Sequence, residues 1–275
     1  MQSFVCITGA TGGLGKAFAV ECADRGWNLF ITDVSEPALI HLADGLKTAY
    51  GIKVLYFPCD LTDANSRVLL VDWLNENKIC LEGLINVAGL DFEGSFFDRT
   101  KEQIQTLIRL NVEANLEITH ELLKLRNRDK TFRIINVASL AAFYPMPVKA
   151  MYSASKRFLL NFSIALREEL RPMNCTVTVL CPAGMPTNER CIRSIDAQGL
   201  AGRITTKNVG FVASRTIEAS LKGRCICIPG LMNKFVRFAG SLIPAALVSQ
   251  LIGARWKIAH MKSCQNNKPV LGTDN

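Results

Sequence analysis

The sequence predicts an α/β fold built on one doubly wound parallel sheet of about seven strands, followed by a C-terminal helical extension. Short apolar runs alternate with amphipathic stretches along most of the chain, which is the pattern of β-α-β units. The chain has 275 residues, which suits one large domain, and 49% of them are hydrophobic, enough for a sizeable core. We place the sheet domain at residues 1–230 and the helical extension at residues 231–275.

The predicted elements follow one another in a regular order from the N-terminus. The apolar runs predict seven strands, at Phe4–Thr8, Asn28–Thr32, Lys53–Pro58, Gly83–Val87, Arg133–Ala138, Thr176–Cys181 and Cys225–Ile228. The amphipathic stretches predict helices near Gly13–Arg25, Glu36–Tyr50, Asn65–Asn77, Lys101–Arg126, Tyr152–Leu170 and Thr206–Leu221. Parallel strands end along one edge of the sheet, where ligands bind at the point of reversed strand order. The polar residues that follow the strands are therefore expected to meet there.

The first turn, from Thr8 to Gly15, has the glycine pattern of a phosphate-binding loop. Gly9 permits a tight turn after the strand, Gly13 lets the backbone approach a pyrophosphate, and Gly15 allows close packing of the following helix. Phosphate oxygens would meet the free amides and the positive end of the helix dipole. A glycine pattern alone also fits an ordinary turn, but here a strand precedes it and a helix follows it.

Asp33 stands at the end of the second strand, 20 residues after Gly13. A carboxylate at this place can accept hydrogen bonds from the 2′-hydroxyl of an adenosine ribose, and it would repel a 2′-phosphate. This predicts that NAD(H) is the preferred cofactor. Lys16, which follows the last glycine, keeps NADP(H) as an alternative. Asp33 also fits a solvated turn or a helix cap before Glu36.

A second group of residues, Ser139, Tyr152 and Lys156, has the spacing of an acid–base site. Tyr152 and Lys156 are about one helical turn apart, so an ammonium lies close to a phenol. Free tyrosine has a pKa of about 10, and a nearby cation favours the phenolate. The pair therefore suits proton exchange with an alcohol or a ketone, and the Ser139 hydroxyl suits holding the reacting oxygen.

Taken together, these motifs resemble the short-chain dehydrogenase/reductase family. The resemblance rests on the glycine loop, Asn86-x-Ala-Gly89, Asn111, Ser139 and Tyr152-Ser-Ala-Ser-Lys156, and it covers the chain from about Phe4 to Pro229. It implies a Rossmann-type fold, with dinucleotide binding and catalysis in residues 1–230. The apolar, basic end of the chain resembles the branch that includes 3-ketoacyl reductases and hydroxysteroid dehydrogenases.

The resemblance also implies a role for each motif residue. Tyr152 would be the general acid–base, while Lys156 would lower its pKa and bind the nicotinamide ribose. Ser139 would orient the substrate oxygen, and Asn111 would hold a water that links Lys156 to solvent. Asn111 also fits a helix-interior residue with a local partner, and Asn86 also fits a turn-stabilising role.

The resemblance extends to a cofactor-binding set. Asp60 and Leu61 would meet the adenine ring, and the Met185 main chain and the Thr187 hydroxyl would hold the carboxamide. After the sixth strand the chain departs from the family pattern, because Ala183 stands where a glycine is usual. The full implied set is Gly9, Thr11, Gly13, Leu14, Gly15, Asp33, Asp60, Leu61, Asn86, Ala88, Gly89, Tyr152, Lys156, Pro182, Met185 and Thr187.

The function that this reading implies is an NAD(H)-dependent oxidoreductase interconverting a secondary alcohol and a ketone. Six apolar residues lie beside the motifs and favour a bulky, steroid-like or fatty-acyl-like substrate, although they also fit core or lid packing: Phe92, Phe143, Tyr144, Met146, Met151 and Met185. The alternative is a non-catalytic dinucleotide sensor or scaffold on the same fold. Such proteins commonly lose the tyrosine or the lysine, which this chain retains. The family resemblance further implies a homodimer or homotetramer.

The cysteines and the N-terminal residues bear on compartment. Ten cysteines are scattered without a CxxC pair, and no histidine lies near them in metal-ligand spacing. We therefore expect free thiols and no metal site. The chain opens directly into a strand without a basic stretch and a long apolar run, so we do not expect a secretory signal. These features predict a protein of the reducing cytoplasm.

The net charge of +8 belongs to the C-terminal part of the chain. From Ala219 to Thr273 there are eight basic residues and no acidic one, and the remaining 24 basic residues match the 24 acidic ones. Within this part, Leu231–Ser263 is apolar and basic, and its longest uncharged run, Phe238–Ala254, is at the short limit for a membrane span.

Three interpretations of Leu231–Ser263 follow. We favour a helical hairpin that covers the substrate cleft or an oligomer face, ahead of an interfacial membrane anchor and a true span. A nucleic-acid surface would need aromatics interleaved with the basic residues. Because this segment is mainly aliphatic, we expect no nucleic-acid partner.

Overall fold

The sheet has the architecture that the alternating pattern predicts. The computed structural model describes residues 2–187, 191 and 204–254. In these residues seven strands form one parallel sheet in the order β3-β2-β1-β4-β5-β6-β7. The strands are β1 Ser3–Thr8, β2 Leu29–Asp33, β3 Val54–Pro58, β4 Cys80–Asn86, β5 Phe132–Val137, β6 Cys175–Leu180 and β7 Ile226–Cys227. The order reverses between β1 and β4, so the fold is doubly wound, as predicted.

Helices connect the strands on both faces of the sheet. They are α1 Gly13–Asp24, α2 Glu36–Tyr50, α3 Ala64–Glu76, α4 Lys101–Ile108, α5 Ala114–Lys124, α6 Ala150–Leu170, α7 Val209–Leu221 and α8 Leu231–Ser241, and a further helix, α9, begins at residue 245. Short 3₁₀ turns lie at Leu140–Phe143 and Arg171–Met173. α7 begins three residues after the predicted start at Thr206, because the Asn208 side chain caps it by accepting from the Gly210 amide.

The predicted single helix from Lys101 to Arg126 is wrong in one respect. A π-helical turn, Arg109–Glu113, separates α4 from α5. In this turn the Asn115 side-chain amide donates to the carbonyls of Leu110 and Asn111, both at 3.2 Å. These bonds tie the first turn of α5 to the π-helical turn. Periodicity did not reveal the interruption because a π turn adds one residue without ending the helix.

Two layers of apolar side chains pack against the sheet. Successive residues of a strand point to opposite faces, so in β1 Val5 and Ile7 join one cluster while Phe4 and Cys6 join the other. The first cluster lies under α1, α2 and α7, and the second lies under α3, α5 and α6. Strands covered on both faces read as continuous apolar runs, which explains why the sequence showed them so clearly.

The strand register brings the carboxyl ends of the central strands level with one another. Thr8 of β1 pairs with Thr32 of β2 and with Asn86 of β4, and Asn86 in turn pairs with Asn136 of β5. The residues that follow these strands therefore start from one edge of the sheet. This edge carries the candidate site.

α8 packs against the 3₁₀ turn that follows β5. The Tyr144 hydroxyl donates to the Val236 carbonyl at 2.8 Å, and the Arg237 guanidinium lies 4.8 Å from the centroid of the Phe143 ring. Among the described residues, no helix has both the length and the apolar character needed to cross a bilayer. Residues 255–263 of the segment singled out in the sequence lie outside the described residues.

Candidate active site

The glycine turn between β1 and α1 is shaped by close backbone contacts. Gly9 has φ of 63°, and a Cβ on it would lie 2.8 Å from the Ala88 Cα atom. A Cβ on Gly15 would lie 2.1 Å from the Gly9 carbonyl oxygen. α1 begins at Gly13, and its N-cap, Gly12, has no side chain to bind the first amides. Free amides at a helix N-terminus suit a phosphate group, so the turn fits the pyrophosphate of a dinucleotide.

Asp33 is tied to the glycine turn. Its Oδ2 atom accepts hydrogen bonds from the Thr11 amide at 2.9 Å and the Thr11 hydroxyl at 2.7 Å, and its Oδ1 atom accepts from the Val34 amide. Ser35, rather than Asp33, is the N-cap residue of α2, so the helix-cap alternative does not hold. A carboxylate oxygen accepts more than one hydrogen bond, which leaves acceptor capacity for a ribose hydroxyl.

The loop after β3 is held from behind by a buried arginine. The Asp60 side chain is exposed and accepts from the Thr62 amide and hydroxyl, whereas Leu61 is buried. The Leu61 carbonyl accepts from Arg67 at 2.7 Å, and Arg67 also pairs with Glu113 and Glu117. Arg67 thus connects this loop to the π-helical turn and to α5. Sequence analysis missed it, and an arginine within an amphipathic helix gives no signal of such a role.

Asn86 is part of a buried polar network below the edge of the sheet. Its amide nitrogen donates to the Thr119 hydroxyl and to the Asn136 carbonyl oxygen, both at 2.9 Å. The Asn136 amide then donates to the Ser163 hydroxyl at 2.9 Å. The network joins β4, β5, α5 and α6, so these bonds of the Asn86 side chain link strands and helices and differ from the turn-stabilising role considered from the sequence. The Val87 and Ala88 amides that follow Asn86 donate to the Thr8 hydroxyl.

Ser139, Tyr152 and Lys156 come together as predicted. Ser139 follows β5; its hydroxyl accepts from the Ala141 amide at 3.1 Å and lies beside Tyr152, where it acts to lower the pKa of the phenol. Lys156 lies one turn along α6 from Tyr152, with its Nζ atom 5.7 Å from the centroid of the tyrosine ring. The Lys156 ammonium is buried and donates to the Val137 carbonyl at 2.8 Å.

The electrostatics of this group differ from the expectation. Burial raises the pKa of Tyr152 above its ordinary value, and the Ser139 hydroxyl only partly offsets this. Burial also lowers the pKa of Lys156 to about 8. The spacing of Tyr152 and Lys156 suggested a lowered pKa for the tyrosine, and the structure gives a raised one instead. The spacing shows the nearby charge but not the burial of the phenol, and burial outweighs the charges here.

Asn111 and Gly89 lie beside the lysine. A Cβ on Gly89 would be 3.1 Å from the Lys156 Nζ atom and 3.2 Å from the Asn111 Oδ1 atom, so only a glycine fits here without a shift. The Asn111 side chain accepts from the Leu90 amide at 2.8 Å and donates to the Leu90 carbonyl and the Ser155 hydroxyl. The side chain thus has partners within the chain, but they lie 21 and 44 residues away and not in its own helix, unlike the local partner of the alternative. It also fixes the segment after Gly89 against α6.

A second lysine, Lys149, approaches Tyr152 from the other side. Its Nζ atom is 5.8 Å from the centroid of the Tyr152 ring, 2.5 Å from Asp91 and 3.2 Å from Glu93. Burial opposes its charge, but the two carboxylates outweigh burial and raise the pKa of Lys149. Sequence analysis missed this group. The sequence signal for it was two carboxylates, Asp91 and Glu93, shortly after Gly89, together with a lysine three residues before the tyrosine.

The segment after β6 contacts both motifs. The Pro182 carbonyl accepts from the Leu140 amide at 2.7 Å, next to Ser139, and the Thr187 amide donates to the Met185 carbonyl. Thr187 also lies against Gly13, where a Cβ would be 3.0 Å from the Thr187 carbonyl oxygen. The segment therefore reaches the glycine turn although Ala183 replaces the usual glycine. Within the described residues no group of three or more histidine, cysteine or acidic side chains could hold a metal ion.

Comparison with known proteins gives one consistent result. A family model described as short chain dehydrogenase matches residues 3–193. The very-long-chain 3-oxoacyl-CoA reductase of Laccaria bicolor is 30% identical over 177 residues, which are 64% of this chain and 52% of that protein. Human 17-beta-hydroxysteroid dehydrogenase type 3 is 31% identical over 191 residues, 68% of this chain and 60% of that protein. The aligned region thus spans about half to three fifths of these relatives.

Solved structures share the fold. One, from a study of 7beta-hydroxysteroid dehydrogenase stereoselectivity, superposes with a TM-score of 0.82 at 21% identity and covers 91% of this chain and 96% of its own. At 21% identity, this similarity shows a shared fold and nothing about function. It agrees with the seven-stranded parallel sheet described above.

Proposed function

This chain belongs to the short-chain dehydrogenase family, and from this premise we propose that it is an NAD(H)-dependent oxidoreductase interconverting a secondary alcohol and a ketone. The observation that carries the proposal is the meeting of two groups at one edge of the sheet. Ser139 and Tyr152, with Lys156 beside them, lie at the edge that also bears the uncapped amides of α1. Acid–base groups and a phosphate-binding turn are what such a reaction requires.

Each residue has a stated part in the proposal. The nicotinamide cofactor, when bound, supplies or accepts the hydride. Tyr152 exchanges the proton with the substrate oxygen, and the Ser139 hydroxyl holds that oxygen in place. Lys156 binds the nicotinamide ribose and, through Asn111, communicates with solvent protons. A hydroxyl with a raised pKa is protonated at neutral pH, so Tyr152 is ready to donate in the direction of ketone reduction.

The preference for NADH over NADPH depends on Asp33 in this proposal. Its carboxylate accepts from Thr11 at the rim of the glycine turn, where a 2′-phosphate would meet like charge. We expect native kcat/KM to favour NADH by about tenfold or more, about 1.4 kcal/mol. Asp33→Ala combined with Val34→Arg should move the preference towards NADPH.

The hydrogen bonds to Thr11 call for a matched control. Asp33→Asn keeps an oxygen that can accept from the Thr11 amide but removes the charge. If charge decides the preference, Asp33→Asn relaxes it while the affinity for NADH changes little. Equal use of both cofactors by the native protein would contradict the proposal and point to Lys16 instead.

For the substrate we propose a bulky, apolar ketone or alcohol, steroid-like or fatty-acyl-like. Support comes from the apolar side chains beside the motifs, of which Phe143 and Tyr144 contact α8. The names of the relatives from Laccaria bicolor and human point to the same class. We further propose a cytoplasmic homodimer or homotetramer, with residues 231–275 acting as an extension of the 1–230 domain.

A reduction screen tests the proposal directly. The native protein is given NADH and then NADPH with ketosteroids, 3-oxoacyl esters and small ketones, and cofactor oxidation is followed by absorbance. We expect turnover with one of the two large classes and little with small ketones. No turnover in either direction, while NADH binding persists in calorimetry, would instead support a dinucleotide sensor.

A further inference from the structure

The outer side of α8 carries a stripe of apolar side chains that face away from the protein. Leu231, Phe235, Phe238 and Leu242 recur at intervals of four, three and four residues, which places them on one face of the helix. Each of these side chains is between 63% and 83% exposed. The next helix, α9, also exposes two apolar side chains four residues apart, Leu247 and Leu251. Contiguous exposed apolar side chains of this kind mark an interaction surface.

The opposite side of α8 is already occupied. Asn233 is buried and donates to the carbonyls of Thr205 and Pro229, and the Val236 carbonyl accepts from Tyr144. Gly240 lies against the Tyr144 ring, where a Cβ would be 2.4 Å away. The orientation of the helix is therefore set by its polar side and by its glycine. The apolar stripe cannot turn inward without breaking these contacts.

A basic cleft lies beside the N-terminal end of the stripe. It has a volume of about 330 Å³, and Leu231 is part of its lining. Four cationic side chains line it, together with one carboxylate, Glu218, which pairs with Arg215 at 3.2 Å. The cations are Arg215, Lys222, Arg224 and Lys234. The surrounding sequence adds to this charge, since no acidic residue occurs between Ala219 and Thr273.

We propose that this stripe and cleft, formed by α7, α8 and α9, dock on an anionic lipid surface. The stripe would lie in the interface with Phe235 and Phe238 among the acyl chains, and the cleft would receive lipid phosphates. A helix with aromatic and leucine side chains on one face and basic residues around it has the composition of an interfacial helix. The stripe extends about 17 Å along α8, which suits a helix lying flat. A second copy of the chain would meet the same positive charge, which disfavours that occupant.

Docking in this way would also place the lipid surface near the candidate active site. The inner side of α8 contacts Phe143 and Tyr144, four and five residues after Ser139. If the proposed function also holds, a lipid-dissolved substrate would have a short path to the site. Lipid docking itself does not depend on that function, because binding is measured without cofactor or turnover.

Vesicle flotation with the full-length protein tests the proposal. We expect the protein to float with vesicles of phosphatidylcholine mixed with phosphatidylglycerol, and to bind more weakly to pure phosphatidylcholine or at high salt, where the attraction is screened. Phe235→Ser combined with Phe238→Ser should weaken binding by about tenfold or more. Lys222→Gln combined with Arg224→Gln should reduce the preference for phosphatidylglycerol.

The matched control removes two apolar side chains of similar exposure elsewhere. Val68 and Leu69 of α3 are 57% and 61% exposed, and Val68→Ser combined with Leu69→Ser should float like the native protein. Leu242→Ser is a milder stripe variant in case the double variant folds poorly. Absence of native binding, or equal binding by the Phe235 and Phe238 variant, overturns the proposal. A stripe variant that changes the sedimentation coefficient but not flotation would show a subunit contact instead.

Discussion

Two regions of this protein depart from the usual distribution of polar and apolar side chains, in opposite directions. The edge of the sheet buries polar groups, among them Lys156, Asn111 and Asn136. α8 exposes large apolar groups, among them Phe235 and Phe238. These three side chains have their hydrogen-bond partners within the chain, as Asn136 does in Asn86 and Ser163. The exposed apolar groups have no such cover within the described residues, which points to a partner outside the chain. The first region is therefore complete within the folded protein, whereas the second is a candidate interaction surface.

Removing the Tyr152 hydroxyl is expected to have the largest effect and acts at the buried polar edge. If Tyr152 exchanges the proton, Tyr152→Phe lowers kcat by roughly 10²- to 10⁴-fold while NADH affinity stays near the native value. Steady-state kinetics and calorimetry measure the two quantities. Tyr50→Phe, a remote change of the same kind, should leave both unchanged. Native kcat in the Tyr152→Phe protein would refute the assigned acid–base.

The buried ammonium of Lys156 predicts a pH dependence of stability. Burial lowers its pKa from 10.5 to about 8, so between pH 8 and pH 10.5 the unfolded state holds more protons than the folded state. Stability attributable to Lys156 therefore rises with pH across this window. Relative to Lys156→Met, the free energy of unfolding of the native protein should increase by up to about 3 kcal/mol.

Urea denaturation at several pH values measures this difference. A constant difference between the two proteins from pH 8 to pH 10.5 would mean that Lys156 titrates normally. The same Lys156→Met protein should also lose both turnover and NADH affinity, since the ammonium serves both in our proposal. Loss of one without the other would contradict the dual role.

Asn136 tests whether the buried network stabilises the sheet. Asn136→Ala leaves the Asn86 amide and the Ser163 hydroxyl each short of one partner in a buried place. An unsatisfied buried group costs about 1–3 kcal/mol, and we expect a loss of that size in the free energy of unfolding. Asn75→Ala is the control, because Asn75 is exposed and bonds only its own helix. A loss as small as that of the control would show that the network is dispensable.

The smallest expected effect comes from changing the exposed side chains of α8, and the measured quantity is the free energy of unfolding. It tests whether α8 differs from the buried edge of the sheet. Phe235→Ser combined with Phe238→Ser should change the free energy of unfolding by no more than about 0.5 kcal/mol, since exposed side chains contribute little packing. Thermal and urea unfolding measure it. A loss of several kcal/mol would show that these side chains are covered within the folded chain, and that α8 does not differ from the buried edge in needing an outside partner.

By itself the sequence determined the sheet and named the candidate site residues that the structure brings together at its edge. Doubly covered strands produce continuous apolar runs, and the glycine turn, Asp33, Tyr152 and Lys156 are local patterns that survive without knowledge of packing. The convergence of the motifs at one edge followed from the rules for doubly wound parallel sheets, whereas the order of the seven strands came from the structure. The π-helical turn around Asn111 could not be predicted from hydrophobic periodicity. It is accompanied by bonds from the Asn115 side-chain amide to the carbonyls of Leu110 and Asn111, and the pattern of apolar residues does not show such bonds.

Tertiary structure alone decided the charges around Tyr152 and the direction of the stripe on α8. Lys149 meets Asp91 across 58 residues, and Lys156 turns to the Val137 carbonyl, so the balance of burial and charge could not be read from spacing. α8 has apolar residues at helical intervals, a pattern that in most helices marks the side facing the core. In the structure the opposite side, with the Val236 carbonyl and Gly240, packs on Tyr144. Tyr144 is more than ninety residues away in the chain, so the sequence of α8 does not show this contact. The apolar side is left facing outward.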